Sequence, residues 1–352
     1  MGQPRNRTFD FLRLFFATLV LLSHAPEITG GNRHRELFDR IAHSGLTFGE
    51  IAVDGFFLLS GYLILKSWLA DPKLMDYLRK RFLRIVPGYV VAVIVSVLLA
   101  SFTASPHFFA DLGSPFLKSV LRLGAPITPP VWRGNPYPVV NGAMWTIGYE
   151  FRCYILIAVC GLLGVFRVRM AWLLATVVLL LNLLHPLLQA HLAFNPLWGE
   201  PRSMFRLLTP FFVGGCFLLF RDKIRFHGAL ALVACGLLVV SFLAPLTAEA
   251  GFVVSGGYLI FYLGQLPSER ALHWFREVPD ISYGVYLYGW PIESAVAWCF
   301  HPSPWLNFTL AVPLCLATGW ISWKLVEGPM LKRKQGALPP RWSVPAADAV
   351  AE

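Results

Sequence analysis

FDFLRLFFATLVLLSHA, residues 9–25, is almost entirely apolar apart from Asp10, Arg13, Ser23 and His24. It has the length and character of a membrane helix. Arg13 and His24 are eleven residues apart. At about 1.5 Å and 100° per residue, both side chains share nearly one face, roughly 16 Å apart along the axis. Arg5 and Arg7 precede the segment, and the positive-inside bias puts its start in the cytoplasm. Arg13 then lies at cytoplasmic to middle depth and His24 at the outer end. An arginine in the hydrocarbon is costly and marks a functional-site hypothesis. Two plainer readings stand beside that one: Arg13 snorkelling to the cytoplasmic surface, and His24 as an ordinary interfacial histidine. A cleaved signal peptide fits poorly, because Arg13 interrupts the apolar core and no small-x-small cleavage site follows.

Composition widens this reading to the whole chain. Of 352 residues, 56% are hydrophobic and only 14% charged, where soluble proteins carry about a quarter charged residues. That balance implies a polytopic membrane protein, and helices are the solution that satisfies backbone groups in lipid. The net charge of +10 is accounted for by basic cytoplasmic loops and calls for no nucleic acid. Cys153, Cys160, Cys216, Cys235, Cys299 and Cys315 lie in apolar segments without metal-ligand spacing. They read as small hydrophobes, and no metal is expected.

Ten apolar stretches of near-membrane length can be drawn, at about 9–26, 50–69, 86–104, 145–165, 170–188, 205–220, 227–244, 250–266, 281–300 and 305–326. The fold class expected is therefore an all-α membrane bundle of about ten transmembrane helices with both termini cytoplasmic. One domain spans 1–334, followed by a loose cytoplasmic tail over 335–352. Loops predicted inside carry Lys73, Arg79, Lys80, Arg81 and Arg84, then Arg167 and Arg169, Arg221, Lys223 and Arg225, and Arg270 and Arg276. Predicted outer loops carry fewer cations. Two outer segments, Pro26 to Gly49 and Ser105 to Ala143, exceed a simple turn. Long ordered loops of this kind often bind ligands or cover sites.

Polar residues inside the apolar segments are the candidates for chemistry. In GEIAVDGFFLLSGYLI, residues 49–64, Asp54 falls near the outer surface and Ser60-Gly61 deeper. Helix packing is the favoured role for both, since Gly61 permits close approach and Ser60 can bond across helices. Arg81 and Arg84 in LRKRFLRIVPGY, residues 78–89, are neighbours on one helix face. Such a pair is either ordinary boundary charge or a forked grip for phosphate. In MWTIGYEFRCYIL, residues 144–156, Glu150 lies about one turn into a helix descending from the outer face. That depth makes it the expected partner of His24, a carboxylate orienting a general base. Tyr283, Tyr286 and Glu293 put polar atoms in the ninth helix, where interhelical hydrogen bonding is the expected use of the tyrosines. Glu327-Gly328-Pro329 reads as a helix end.

Taken together, these pieces resemble the integral-membrane acyltransferase 3 family, whose members acylate carbohydrates and other envelope molecules. The resemblance runs from Phe9 to Pro329. The Arg13–His24 spacing resembles the family's first-helix motif, and AVDGFFLLSGYLI its second-helix stretch. Arg81-x-x-Arg84 with Pro87 is similar to its cytoplasmic arginine motif. MWTIGYE resembles a Trp-Ser-Leu-x-x-Glu pattern, with Thr146 for Ser and Ile147 for Leu. ISYGVYLYGWP is similar to the late Ser-Tyr-x-x-Tyr-Leu motif, although Gly289 stands where many members have His. WKLVEGP fits the closing Glu-x-Pro signature.

The resemblance implies a multi-pass enzyme of a bacterial cytoplasmic (inner) membrane. It would be an acyl-coenzyme A-dependent O-acyltransferase, with acetyl-CoA the first choice of donor. The acceptor would be a hydroxyl of a carbohydrate or glycolipid on the non-cytoplasmic side of the lipid bilayer. Under this reading Arg81 and Arg84 hold the phosphates of coenzyme A and Arg13 lines the path of the donor. His24 with Glu150 deprotonates the hydroxyl. Asp54, Ser60, Tyr283 and Tyr286 support substrate or structure. The competing class is a proton-coupled transporter or flippase of an envelope glycan or lipid-linked intermediate, using the same buried ionisable residues.

Overall fold

The computed structural model describes residues 6–42, 44–185, 199–266, 272–275 and 277–333, and these form helices and turns without strands. The expected tail over 335–352, Arg270 and Arg276 lie outside the described residues. The chain runs through α1 (Arg7–Gly30), α2 (Leu37–Ala42), α3 (Phe48–Ala70), α4 (Leu74–Ser101), α5 (Ser114–Leu121), α6 (Ile147–Leu162) and α7 (Arg169–Leu184). It continues through α8 (Pro201–Leu219), α9 (Gly228–Ser241), α10 (Pro245–Leu263), α11 (Ser282–Phe300) and α12 (Pro304–Lys332).

Seven of these, α1, α3, α4, α6 with its preceding turn, α8, α10 and α12, are long and apolar enough to cross a membrane. Three further stretches predicted as spans differ for identifiable reasons. α7 and α9 are apolar but have 16 and 14 residues. α11 has 19 residues but carries three tyrosines, Glu293 and Pro291, which lower its hydropathy. Large apolar side chains point outward along the bundle, among them Ile94, Leu98, Leu174, Leu232 and Leu314, as a lipid-facing surface requires.

α1 is the centre of the arrangement and packs against α3, α11 and α12. Its start is capped by the Asn6 side chain, which accepts from the Phe9 N–H, and its end by Gly31 in the left-handed conformation at φ 68°. α3 returns antiparallel to α1 from a capping box of Thr47 and Glu50. It lies so close to α8 that a Cβ on Gly61 would fall inside the Phe211 carbonyl, and one on Gly214 inside that of Leu58. The packing role expected for Gly61 is thus met at a backbone-to-backbone crossing.

Two elements depart from expectation. α4 begins at Leu74, twelve residues before the predicted span, so Arg81 and Arg84 stand within one continuous helix that passes Pro87. The helix end predicted at Glu327-Gly328-Pro329 does not occur. Residues Trp323–Glu327 widen into a π turn whose last bond runs from the Gly328 N–H to the Trp323 carbonyl, and the helix continues. Such a turn re-aims a side chain within a helix. Here Glu327 is buried and accepts from Ser322 Oγ at 2.9 Å.

Candidate active site

The long segment between α4 and α6 is folded into the bundle. Trp132 N–H donates to Thr103 Oγ1 at 2.7 Å, Asn135 Nδ2 to the Ser294 carbonyl at 3.0 Å and Asn141 Nδ2 to the Leu287 carbonyl at 2.8 Å. Val131, Trp132, Val140, Asn141 and Met144 are buried. A 3-10 turn, Ala143–Thr146, then leads into α6. The chain is therefore already inside the bundle when α6 starts, so Glu150 lies deeper than a helix count from the surface predicts.

Two cavities flank this entry. The first, about 280 Å³, is lined by Arg13, Arg81, Arg84, Glu150, Tyr283 and Ser60 among others. Arg13 Nη1 and Arg84 Nη2 both reach Asp280 Oδ2, at 3.3 and 2.6 Å. Arg81 donates to Ser67 Oγ at 2.5 Å, and its guanidinium lies over the rings of Tyr77 and Tyr154 at 5.3 and 5.9 Å. Glu150 Oε1 accepts from Ser60 Oγ at 2.9 Å and from Tyr154 OH at 2.5 Å. Tyr283 donates to the Ile85 carbonyl at 2.9 Å. Three guanidiniums and a carboxylate thus converge on one space, with Asp280 compensating part of the cationic charge.

The second cavity, about 300 Å³, holds His24 with Glu27, Arg33, Glu50, Tyr137, Trp145 and Trp290 on its walls. His24 Nδ1 is 3.8 Å from Glu293 Oε2, and the imidazole meets the Trp290 ring edge-on at 4.9 Å. Within the described residues, His24 Nδ1, both Glu293 oxygens and Trp290 Nε1 are buried without a hydrogen-bond partner. Groups in that condition are where a polar ligand gains most from binding. Asp54 is fully buried and pairs with Arg206 Nη2 at 3.1 Å, whose Nε reaches Glu249 Oε1 at 2.7 Å. This ties α3, α8 and α10 together beside the cavity and gives Asp54 an ion-pair role at its rim.

Val53 and Tyr286 line both cavities. The Tyr286 hydroxyl lies 2.6 Å from Thr146 Oγ1 and also donates to the Ala143 carbonyl. The sequence pairs Glu150 with His24, whereas the structure brings Glu293 to His24 and gives Glu150 to Ser60, Tyr154 and the arginine cavity. Glu293 was visible as an acid in an apolar helix, but no local pattern named its partner. Asp280, in the turn before α11, escaped notice because boundary acids at helix starts are common. Among the described residues no group of three or more His, Cys, Asp or Glu is placed to hold a metal ion.

Just outside this cavity, Glu36 is buried between α1 and α3, and both its oxygens accept from the Phe48 N–H, at 2.7 and 2.9 Å. Burial pushes its carboxyl up to about 7, against the Phe48 N–H and the Ser23 side chain, which favour the charged form.

Comparison with known proteins adds a family and two relatives. The chain matches the profile of the acyltransferase 3 family, described as an acyltransferase domain, over residues 6–324. It is similar to the "O-acetyl transferase" of Shigella phage Sf6, 27% identical across 95% of this chain and 98% of that one. It is also similar to "Nodulation protein 10" of Rhizobium leguminosarum bv. viciae, 25% identical across 96% of this chain and 97% of that one. No solved structure matches the chain.

Proposed function

The chain belongs to the acyltransferase 3 family, and from that premise we propose that it moves an acetyl group from acetyl-coenzyme A to a hydroxyl of an envelope carbohydrate. It is a multi-pass membrane acyltransferase. The relative named as an O-acetyl transferase supports the acetyl group and the oxygen acceptor. With α7, α9 and α11 counted beside the seven long apolar helices, the bundle has ten spans and returns both ends of the domain to the cytoplasm. A surface or exported polysaccharide is the acceptor class we favour.

One observation carries the reading. His24 lies on the wall of a cavity that shares Val53 and Tyr286 with an arginine-lined cavity, and Glu293 is buried behind it, both with hydrogen-bonding capacity unspent. The donor's thioester arm enters through the arginine cavity, where Arg13, Arg81 and Arg84 face its phosphates and amides. The acceptor sugar lies against Tyr137, Trp145 and Trp290, whose rings suit a pyranose face, and the unpartnered indole N–H of Trp290 reaches a sugar oxygen. Glu293 faces His24 Nδ1 and orients the ring, so Nε2 takes the proton of the attacking hydroxyl. The oxygen adds to the thioester carbonyl, the C–S bond breaks, and the thiolate of coenzyme A receives the proton. His24 Nδ1 and Glu293 Oε2 stand 3.8 Å apart, close enough for the carboxyl to orient the ring through a small side-chain movement. Glu150 holds Ser60 and Tyr154 around the donor path.

The test is acetyl transfer by purified protein to extracted envelope glycans, for wild type, His24→Ala and Glu293→Gln. His24→Ala should abolish transfer while donor affinity stays. Glu293→Gln, which keeps shape but removes the carboxyl, should lower kcat by about 10²-fold, within the range expected for general-base assistance. Undiminished transfer by His24→Ala would end the proposal. Glycan movement across vesicles without release of coenzyme A would favour the transporter class.

A further inference from the structure

A third and larger cavity, about 720 Å³, opens at the end of the bundle where α1 begins and α3 ends. It shares Arg13 and Leu63 with the arginine cavity. The Arg81–Ser67 hydrogen bond also joins the two, since Ser67 lines this cavity and Arg81 the other. Its further cations are Lys66 of α3 and Arg221, two residues beyond α8. Arg13 and Arg84 are already matched to Asp280, but among the described residues neither Lys66 nor Arg221 reaches a carboxylate. Asp10, the acid on this wall, has a partner of its own.

Beside the cations the wall is aromatic. Tyr62 and Phe261 lie 4.9 Å apart, Phe261 and Phe217 4.7 Å, and Phe217 and Phe226 6.3 Å, so their rings follow one another along the wall, each tilted against the next. Lys66 Nζ is 6.0 Å from the Tyr62 ring centre. Plain boundary charge would need no aromatic partner and no enclosed volume. A row of aromatic rings beside two cations that reach no carboxylate fits a purine base joined to a phosphate, by stacking and by charge.

We propose that this vestibule binds the adenosine 3′-phosphate end of the acyl donor, with Lys66 and Arg221 on the 3′-phosphate and the Tyr62, Phe217 and Phe226 rings beneath the adenine. It rests on the reading of the donor as a coenzyme A thioester. The arginine cavity then receives the pyrophosphate and the arm, and the vestibule reads which nucleotide carries them. No bond is made or broken there.

Nucleotide fragments test this without any acyl transfer. Binding of adenosine 3′,5′-bisphosphate and of AMP to the purified full chain is measured by calorimetry, for wild type and for the Lys66→Ala/Arg221→Ala double variant. Wild type should bind the bisphosphate about tenfold tighter than AMP, and the double variant should bind both alike. The charge-preserving Lys66→Arg/Arg221→Lys pair should restore the preference, which guards against a folding defect. In a second arm, turnover is compared between acetyl-CoA, acetyl-dephospho-CoA and acetyl-pantetheine. The double variant should lose the preference for the 3′-phosphate yet turn over acetyl-pantetheine as wild type does. Equal binding of the two nucleotides by wild type, or a preference that survives in the double variant, overturns the inference even if transfer occurs. A preference lost in the variant, with no transfer from any donor by wild type, leaves the vestibule standing and removes the acyltransfer reading instead.

Discussion

Glu36 is only 2% exposed, yet it caps the start of α3 and sits beside Ser23, the neighbour of His24. Its carboxyl is raised from 4.5 to about 7, by burial first and by the charges of Glu50 and Asp39 in addition. Between those two values the folded chain keeps a proton that the unfolded chain has released. Stability therefore falls as pH rises through that window. At 1.36 kcal/mol per unit the ceiling is about 3 kcal/mol. Glu36→Gln keeps an acceptor for the Phe48 N–H and cannot ionise, so it should flatten the dependence. Thermal unfolding in detergent from pH 4.5 to 7 measures it, and an unchanged slope in the variant would assign the effect elsewhere. Residue identities at the site were legible to different depths. Arg13 and His24 could be related from sequence because one helix fixes their spacing. Arg81 and Arg84 could be related for the same reason. The partner of His24 could not, because Glu150 and Glu293 lie on different helices and only tertiary packing selects between them.

At the level of elements, close helix approach decides where the cavities lie. α3 meets α8 through Gly61 and Gly214, and this crossing sets the position of Ser60, next along α3, against Glu150. Gly61→Leu would force the helices apart, since the obstacle is backbone and cannot rotate away. Overpacking costs of about 1–3 kcal/mol, and more against backbone, should appear as loss of folded protein in thermal size-exclusion assays, with Gly61→Ala intermediate. A Gly61→Leu protein as stable as wild type would show that the crossing is not rigid. Hydropathy located most of these elements, but it mislaid the start of α4 and the passage through Glu327. Charged residues before Arg84 lower the local hydropathy without interrupting helical hydrogen bonds, so α4 starts earlier than its apolar run. At Glu327 a π turn absorbs the breaker sequence, and a widened turn leaves no mark in hydropathy. The depth of Glu150 escaped for a related reason, because a Pro- and Gly-rich loop that folds inward cannot be told from one that stays outside.

On the scale of the molecule, the long axis of α1 separates two chemistries. Cations with aromatic walls gather where α1 begins, while His24, Glu293 and a ring-lined cavity gather where it ends. Tyr286 and Val53 lie on the partition. Under the proposed function, a soluble donor and an exported acceptor would meet across the wall of Tyr286 and Val53, with neither crossing the bilayer. That scheme requires the two ends to face opposite compartments, which the positive-inside count supports. Cysteines introduced singly at Lys223, in the α8–α9 turn, and at His34, in the α1–α3 connection, check it in a background without the six native cysteines. Both sites are exposed. In inside-out vesicles a membrane-impermeant thiol reagent should label the Lys223→Cys protein and spare the His34→Cys protein, and right-side-out vesicles should reverse the pattern. Labelling of both from one face would put the donor and acceptor cavities on the same side, and a transmembrane relay of the acetyl group would no longer describe the enzyme.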